Sequence, residues 1–202
     1  MRWIVIFLSI LFFSSTLQAN DSTTGIALES RDTYTRWYEY PGNYWEESFS
    51  FTGIKGDYNK YWRDLSSFSL YYGFSLGLYT GNYINSPGNQ YGANAIRPSA
   101  SLLGKINLAE SINLLIQTEI AYLIALGSSD NAMHSDDFGV YVPSLDLGVG
   151  LEYRINTSDI KSIRLSYQVS IANLGVETDN FQKNDVSSED WANSAVSFGV
   201  YF

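Results

Sequence analysis

Cysteine is absent from this 202-residue sequence. Its absence excludes disulfides, a lipid-anchored N-terminal Cys, thiol chemistry and any Cys-ligated metal site. Basic side chains are scarce, 12 Lys and Arg against 21 Asp and Glu for a formal net charge of −9. A surface of that sign excludes a nucleic-acid partner. No stretch after the first twenty residues approaches the roughly 20 consecutive apolar residues that a transmembrane helix requires. Histidine occurs once, at position 134.

The N-terminus and the aromatic content are the features present in excess. Arg2, the apolar run Ile4 to Phe13 and the small, polar exit Ser14 to Ala19 have the order of a secretory signal peptide, with cleavage after Ala19. The expected organisation is therefore residues 1–19 as signal peptide and 20–202 as one domain. Aromatics reach 16 %, including 16 Tyr and 5 Trp, a level normal where rings line a membrane interface.

The most regular stretch runs from Phe68 to Leu78. Its even positions, Phe68, Leu70, Tyr72, Phe74, Leu76 and Leu78, are all large and apolar, whereas Ser69, Gly73, Ser75 and Gly77 are small. A period of two marks a strand. A continuous bulky face opposite a Ser/Gly face fits a barrel wall with lipid outside and a crowded lumen inside.

The same alternation recurs along the chain. A first strand is expected within 24–40, with Glu29 and Arg31 on its inward face, and Pro41, Gly42 and Asn43 form a turn. A second follows at 45–54, where Phe49 and Phe51 share one face and Ser48, Ser50 and Thr52 the other. Residues 55–64 read as a connection, and the Gly/Asn/Tyr-rich 80–96 as a long loop. A fourth strand at 97–108 points Ala100, Leu102, Ile106 and Leu108 outward, with Ser101, Lys105 and Asn107 inward. The fifth, after Ala109 and Glu110, sets Ile112, Leu114, Ile116, Ile120, Tyr122 and Ile124 against Asn113, Gln117 and Glu119. A loop at 127–137 precedes the sixth strand at 138–155, whose inward side carries Asp146, Glu152 and Arg154. Pro143 should cause a bulge there or end the strand. The seventh strand, 161–174, turns Arg164, Ser166, Gln168 and Ser170 inward. An acidic loop at 175–190 leads to the last strand, 191–202. The sum is an all-β fold, an eight-stranded antiparallel up-and-down transmembrane β-barrel. The loops 80–96, 127–137 and 175–190 should lie outside, although the ten-residue connection 55–64 breaks the expected alternation of long and short.

The C-terminal residues Val196-Ser-Phe-Gly-Val-Tyr-Phe202 resemble the terminal signature of Gram-negative outer-membrane β-barrels, which ends in Phe after alternating apolar residues. Size and strand number are similar to OmpA- and OmpX-type barrels. The resemblance implies a porin-like wall in the cell outer membrane, contact with outer-membrane lipid and lipopolysaccharide, and recognition of Phe202 by the barrel assembly machinery. A monomer is expected.

Chemistry has few candidates. Lys105, Glu119, Asp146, Glu152, Arg154 and Arg164 should face the lumen and pair with one another, because eight strands leave room only for side chains. Glu119 and Asp146 are the one conceivable acid pair, with Glu29 and Arg31 near enough to alter it. The sequence His134-Ser135-Asp136 contains the residue types of a lipid A deacylase, but three consecutive residues seldom form a relay. Asp130, Asp136, Asp137, Glu177, Asp179, Asp185, Glu189 and Asp190 follow no calcium-loop spacing. No catalytic, cofactor-binding or metal-binding residue is therefore assigned, and no cofactor. The expectation is a non-catalytic barrel with a structural or surface role carried by its outer loops. A lipid A-modifying enzyme and a narrow conduit for small or apolar solutes are the alternatives.

Overall fold

The computed structural model describes residues 22–39, 43–66, 68–85, 90–128, 137–155, 157, 159–173, 177–178 and 186–202. The regular structure there is entirely β: β1 (Ser22–Glu39), β2 (Asn43–Leu65), β3 (Phe68–Asn85), β4 (Gln90–Ala109), β5 (Ile112–Ser128), β6 (Asp137–Arg154), β7 (Ser162–Asn173), the two-residue β8 (Glu177–Thr178) and β9 (Val186–Tyr201). Successive long strands pair antiparallel, and β9 pairs with both β7 and β1, so the ladder closes. β8 lies against β6 at Val140 and Tyr141, where β7 has stopped. Eight long staves therefore form the closed up-and-down barrel expected of the alternation. The start of β1 and the end of β9 lie together at the turn end, where the Phe202 and Thr24 backbones exchange hydrogen bonds of 2.8 and 3.3 Å. The opposite end is the loop end.

The wall is apolar outside. Phe74 and Ile120 are each 61 % exposed, and Val149 and Leu165 project in the same way. The side chains between them, such as Asp146, Glu152, Arg164 and Gln168, are buried inside. A water-soluble protein rarely displays so continuous an apolar surface, whereas lipid is its natural solvent.

The strands are longer than the alternation alone suggests. Residues 55–64 belong to β2, where Lys55 pairs with Ala27 on one side and Gly77 on the other. The β2–β3 connection is only Ser66 and Ser67, with Ser66 in the left-handed region at φ 55°. The long connection expected at 55–64 is thus absent, although connection lengths still do not alternate, since 40–42 and 86–89 at the loop end are shorter than 155–161 at the turn end. Trp62 is the extra residue of a bulge between Tyr61 and Arg63, which reverses the phase of the strand so that Asp64 lies opposite Ser69.

Most of 80–96 is also strand, not loop. Gly81 pairs with Phe51, Asn82 with Gly92, and Tyr83 with Tyr91, leaving 86–89 as the connection. Glycine here permits close strand approach: a Cβ on Gly81 would stand 1.9 Å from the Ser50 carbonyl oxygen. The last strand likewise begins at Val186, inside the expected loop 175–190. Pro143 remains in register with Tyr122 of β5, but the β6–β7 ladder ends at Ser144 and shifts register between Leu145 and Asp146. The proline thus sits beside a ladder end, where its missing N–H is tolerated. The β7–β9 ladder stops at Val169 and Ser194, although each strand continues against its other neighbour.

Inside and outside can be tested directly. Leu147→Arg places a charge on the lipid face and should cost about 2–4 kcal/mol. Ser166→Ala removes only a 2.6 Å hydroxyl contact with Ser197 and should cost about 1 kcal/mol. Urea unfolding of the two variants in lipid vesicles measures the difference; equal costs would reverse the faces.

Candidate functional site

The lumen is filled in three storeys along the strands. At the loop end Phe49, Phe51, Tyr79, Tyr83, Ala93, Ala95, Leu123, Ala125 and Val142 form a buried apolar cluster. Phe49 stacks on Phe51 at 5.7 Å and on Tyr83 at 4.7 Å between ring centroids. Here the bulky face of the sheet points inward, the reverse of the pattern at 68–78. The change of face occurs within β3, whose outward Leu78 is followed by inward Tyr79 and outward Thr80. That switch is why the stretch looked like loop in sequence.

Below the aromatic cluster lies a layer of six buried charges: Glu29, Arg31, Lys55, Arg97, Glu119 and Asp146. Arg97 bridges two carboxylates, donating from Nη1 to Glu119 and from Nη2 to Asp146 at 2.5 Å. Lys55 Nζ donates to Glu119 Oε2 at 2.9 Å. Arg31 reaches Glu29 at 3.0 Å, Asp146 at 3.3 Å and the Asn193 side-chain carbonyl at 2.9 Å. The Tyr79 hydroxyl donates to Glu29 at 2.7 Å and so joins this layer to the aromatic one. Three cations meet three anions, and Gln117, Gln168 and Ser170 supply further donors to the carboxylates. Buried ions are tolerated only when paired and hydrogen-bonded in this way.

At the turn end Glu152 is the hub. It accepts from Lys105 at 2.9 Å, Arg164 at 2.8 Å, Asn113 at 2.7 Å and Ser162 at 2.9 Å. Arg164 also lies 3.6 Å over the Tyr201 ring, whose hydroxyl donates to Asp57 at 2.7 Å.

All six charged residues read as lumen-facing therefore do line the lumen. Glu119 and Asp146 are both engaged by Arg97, so neither is a lone carboxyl free to act as acid or base. Arg97 and Lys55 were absent from the sequence reading of the lumen. Arg97 lies within the expected fourth strand and shares the inward parity of Ser101 and Lys105, so its place was legible; Lys55 shares the parity of Phe49 and Phe51 but falls in the stretch expected to be a connection. His134-Ser135-Asp136 and residues 1–19 lie outside the described residues, as do Pro41 and Gly42 and the side chains of the eight loop carboxylates. Among the described residues no group of His, Asp or Glu is arranged to hold a metal ion.

A closed eight-stranded wall with an apolar exterior and a filled, charge-paired interior defines a small outer-membrane β-barrel. Among solved structures the chain is similar to outer membrane protein AlkL, determined in DMPC lipid bilayers, with a TM-score of 0.56 and 13 % identity over 90 % of this chain and 89 % of that one. It is also similar to Neisserial surface protein A, with a TM-score of 0.46 and 11 % identity over 87 % and 95 % of the two chains. Ail, the attachment invasion locus protein of Yersinia pestis, gives a TM-score of 0.41 and 14 % identity over 90 % and 99 %. No protein-family model matches the chain, and no curated protein matches it. At these identities the likeness shows the fold alone.

Arg97→Met tests the central layer, because it strands Glu119 and Asp146 with fewer cations. It should cost about 3–5 kcal/mol, the scale for breaking a buried ion pair from one side. Arg63→Gln removes a cation that is exposed over Trp62 and should change stability by no more than about 0.5 kcal/mol. Vesicle unfolding midpoints distinguish the two.

Proposed function

We propose that the chain is a non-catalytic, non-conducting barrel of the Gram-negative outer membrane, exported by its N-terminal signal and active as a monomer. Its role is structural or surface-protective, exerted by the strand ends and loops that rise above the lipid. The observation that carries this reading is the filling of the lumen at mid-height and at the turn end; nearer the loop end a pocket of about 670 Å³ reaches Thr33, Phe49, Ser170 and Asn193. Aromatic rings, six paired charges and the Glu152 hub follow one another from the loop end to the turn end. An ion moving through would have to part Arg97 from two carboxylates, at a cost of several kcal/mol. The Glu119 and Asp146 pair that catalysis in the lumen would need is neutralised in the same layer, whereas a lipid A-modifying enzyme would need His134 against the wall. Lipid and lipopolysaccharide are the partners of the outer face, and the assembly machinery that of Phe202.

Planar-bilayer recording tests the sealed lumen. Purified protein should insert without stepwise ion conductance, and reproducible single-channel steps would overturn the reading in favour of a conduit.

Phe202 separates assembly from stability. Its ring is 40 % exposed and its backbone pairs with Thr24, so deletion forfeits at most about 1.5–3 kcal/mol of side-chain burial plus about 1 kcal/mol per hydrogen bond. The shortened protein should still refold in micelles as a heat-modifiable barrel, while its abundance in the outer membrane at matched synthesis falls sharply. Unchanged abundance in cells would remove the role of Phe202 as an assembly handle.

A further inference from the structure

Every charge of the central layer is paired, whereas among the described residues at the turn end one cation is not. There Lys105 and Arg164 share the single carboxylate of Glu152. Asp57 is engaged from the other direction by the Tyr201 hydroxyl and lies 3.8 Å from Lys55. Arg154, the third cation of this storey, makes no side-chain hydrogen bond or ion pair among the described residues, and its Nε is buried without a partner. Arg154 and Lys105 line one polar pocket of about 240 Å³ at the turn-end mouth, together with Ser66, Ser69, Asn107 and Asn113. Asp64 stands on its rim and accepts a hydrogen bond from the Ser69 hydroxyl at 2.7 Å. Asn113 directs its amide N–H₂ to Glu152, which leaves its carbonyl for the cations.

We propose that this pocket binds a phosphate-type oxyanion between the Lys105 ammonium and the Arg154 guanidinium. The geometry argues for an oxyanion over a simple halide. A guanidinium presents a planar fork of donors that matches two oxygens at once, and an ammonium beside it supplies a point charge for a third. The Asn107 amide and the Ser66 hydroxyl add neutral donors at the same mouth. The pocket is large enough for a phosphate group with accompanying water. Phe68, also on its wall, sits at the foot of the apolar belt, so the same chemistry is offered to a free phosphate and to the headgroup of a lipid at that rim.

The test uses the full barrel refolded in alkyl maltoside micelles, which contain no phosphate. Inorganic phosphate is titrated against chloride at matched ionic strength while backbone and Arg154 Nε–H resonances are followed by NMR. A second arm adds short-chain phosphatidylglycerol to the same micelles. Saturable shifts centred on Ser66, Lys105 and Arg154 are expected. They should weaken about tenfold or more in Arg154→Gln, the change expected for loss of a charge-assisted hydrogen bond. Arg154→Lys should recover part of the affinity, and Arg63→Gln should bind as the unchanged protein does. Heat-modifiable migration of each variant establishes that it is folded. Saturation by both probes identifies free phosphate as sufficient, and saturation by the lipid alone identifies a headgroup. Binding by folded Arg154→Gln as tight as that of the unchanged protein, equal shifts from chloride, or no shift in either arm would overturn the proposal.

Discussion

Closure of the hydrogen-bond ladder is the constraint on which the rest of the molecule depends. In lipid an unpaired backbone N–H or C=O has no water to turn to, so a strand can cross only if both its edges are occupied. The first and last strands are the ones at risk, and they meet from Gly25 opposite Tyr201 to Glu39 opposite Val186. Closing eight strands also leaves an interior only wide enough for side chains. The filled lumen is thus a consequence of the wall and not an independent feature.

What fills the lumen changes with height. Rings pack at the loop end, where the outward face of β2 and β3 has become Ser50, Thr80 and Asn82, although Ile84 and Leu126 still project there. Charges occupy the middle. There the apolar belt outside and the ion layer inside share one set of strands, and side-chain alternation alone keeps them apart. A one-residue slip of β6 would send Asp146 to lipid and Leu147 to the lumen. The ion layer therefore penalises incorrect register as well as filling space, because each misplaced charge would lose its partners. Tyr79 ties the two upper storeys together through its bond to Glu29, and Asp57 lies between the central layer and the turn-end hub through Lys55 and Tyr201.

The turn end differs in that one of its cations, Arg154, has no side-chain partner among the described residues. A cation at a mouth can be solvated, which is why Arg154 is tolerated there and would not be beside Arg97. This difference in solvent access separates a layer that holds the barrel together from one available to a ligand.

Much of this was legible in the sequence because the period of two has a simple cause. Phe68 to Leu78, Leu145 to Tyr153 and Ile163 to Ile171 each present one face to lipid, and the alternation determined by itself the all-β class, the strand number and the inward side of Glu119, Asp146, Glu152 and Arg164. Strand length was decided by tertiary structure. Gly81, Asn82 and Gly92 have the composition of turns, and only the close approach of β2, β3 and β4 makes them ladder residues. The partners of each charge were likewise beyond local pattern. Arg97 lies 22 positions from Glu119 and 49 from Asp146, and their meeting depends on the stagger of closed strands, which no single stretch of sequence contains.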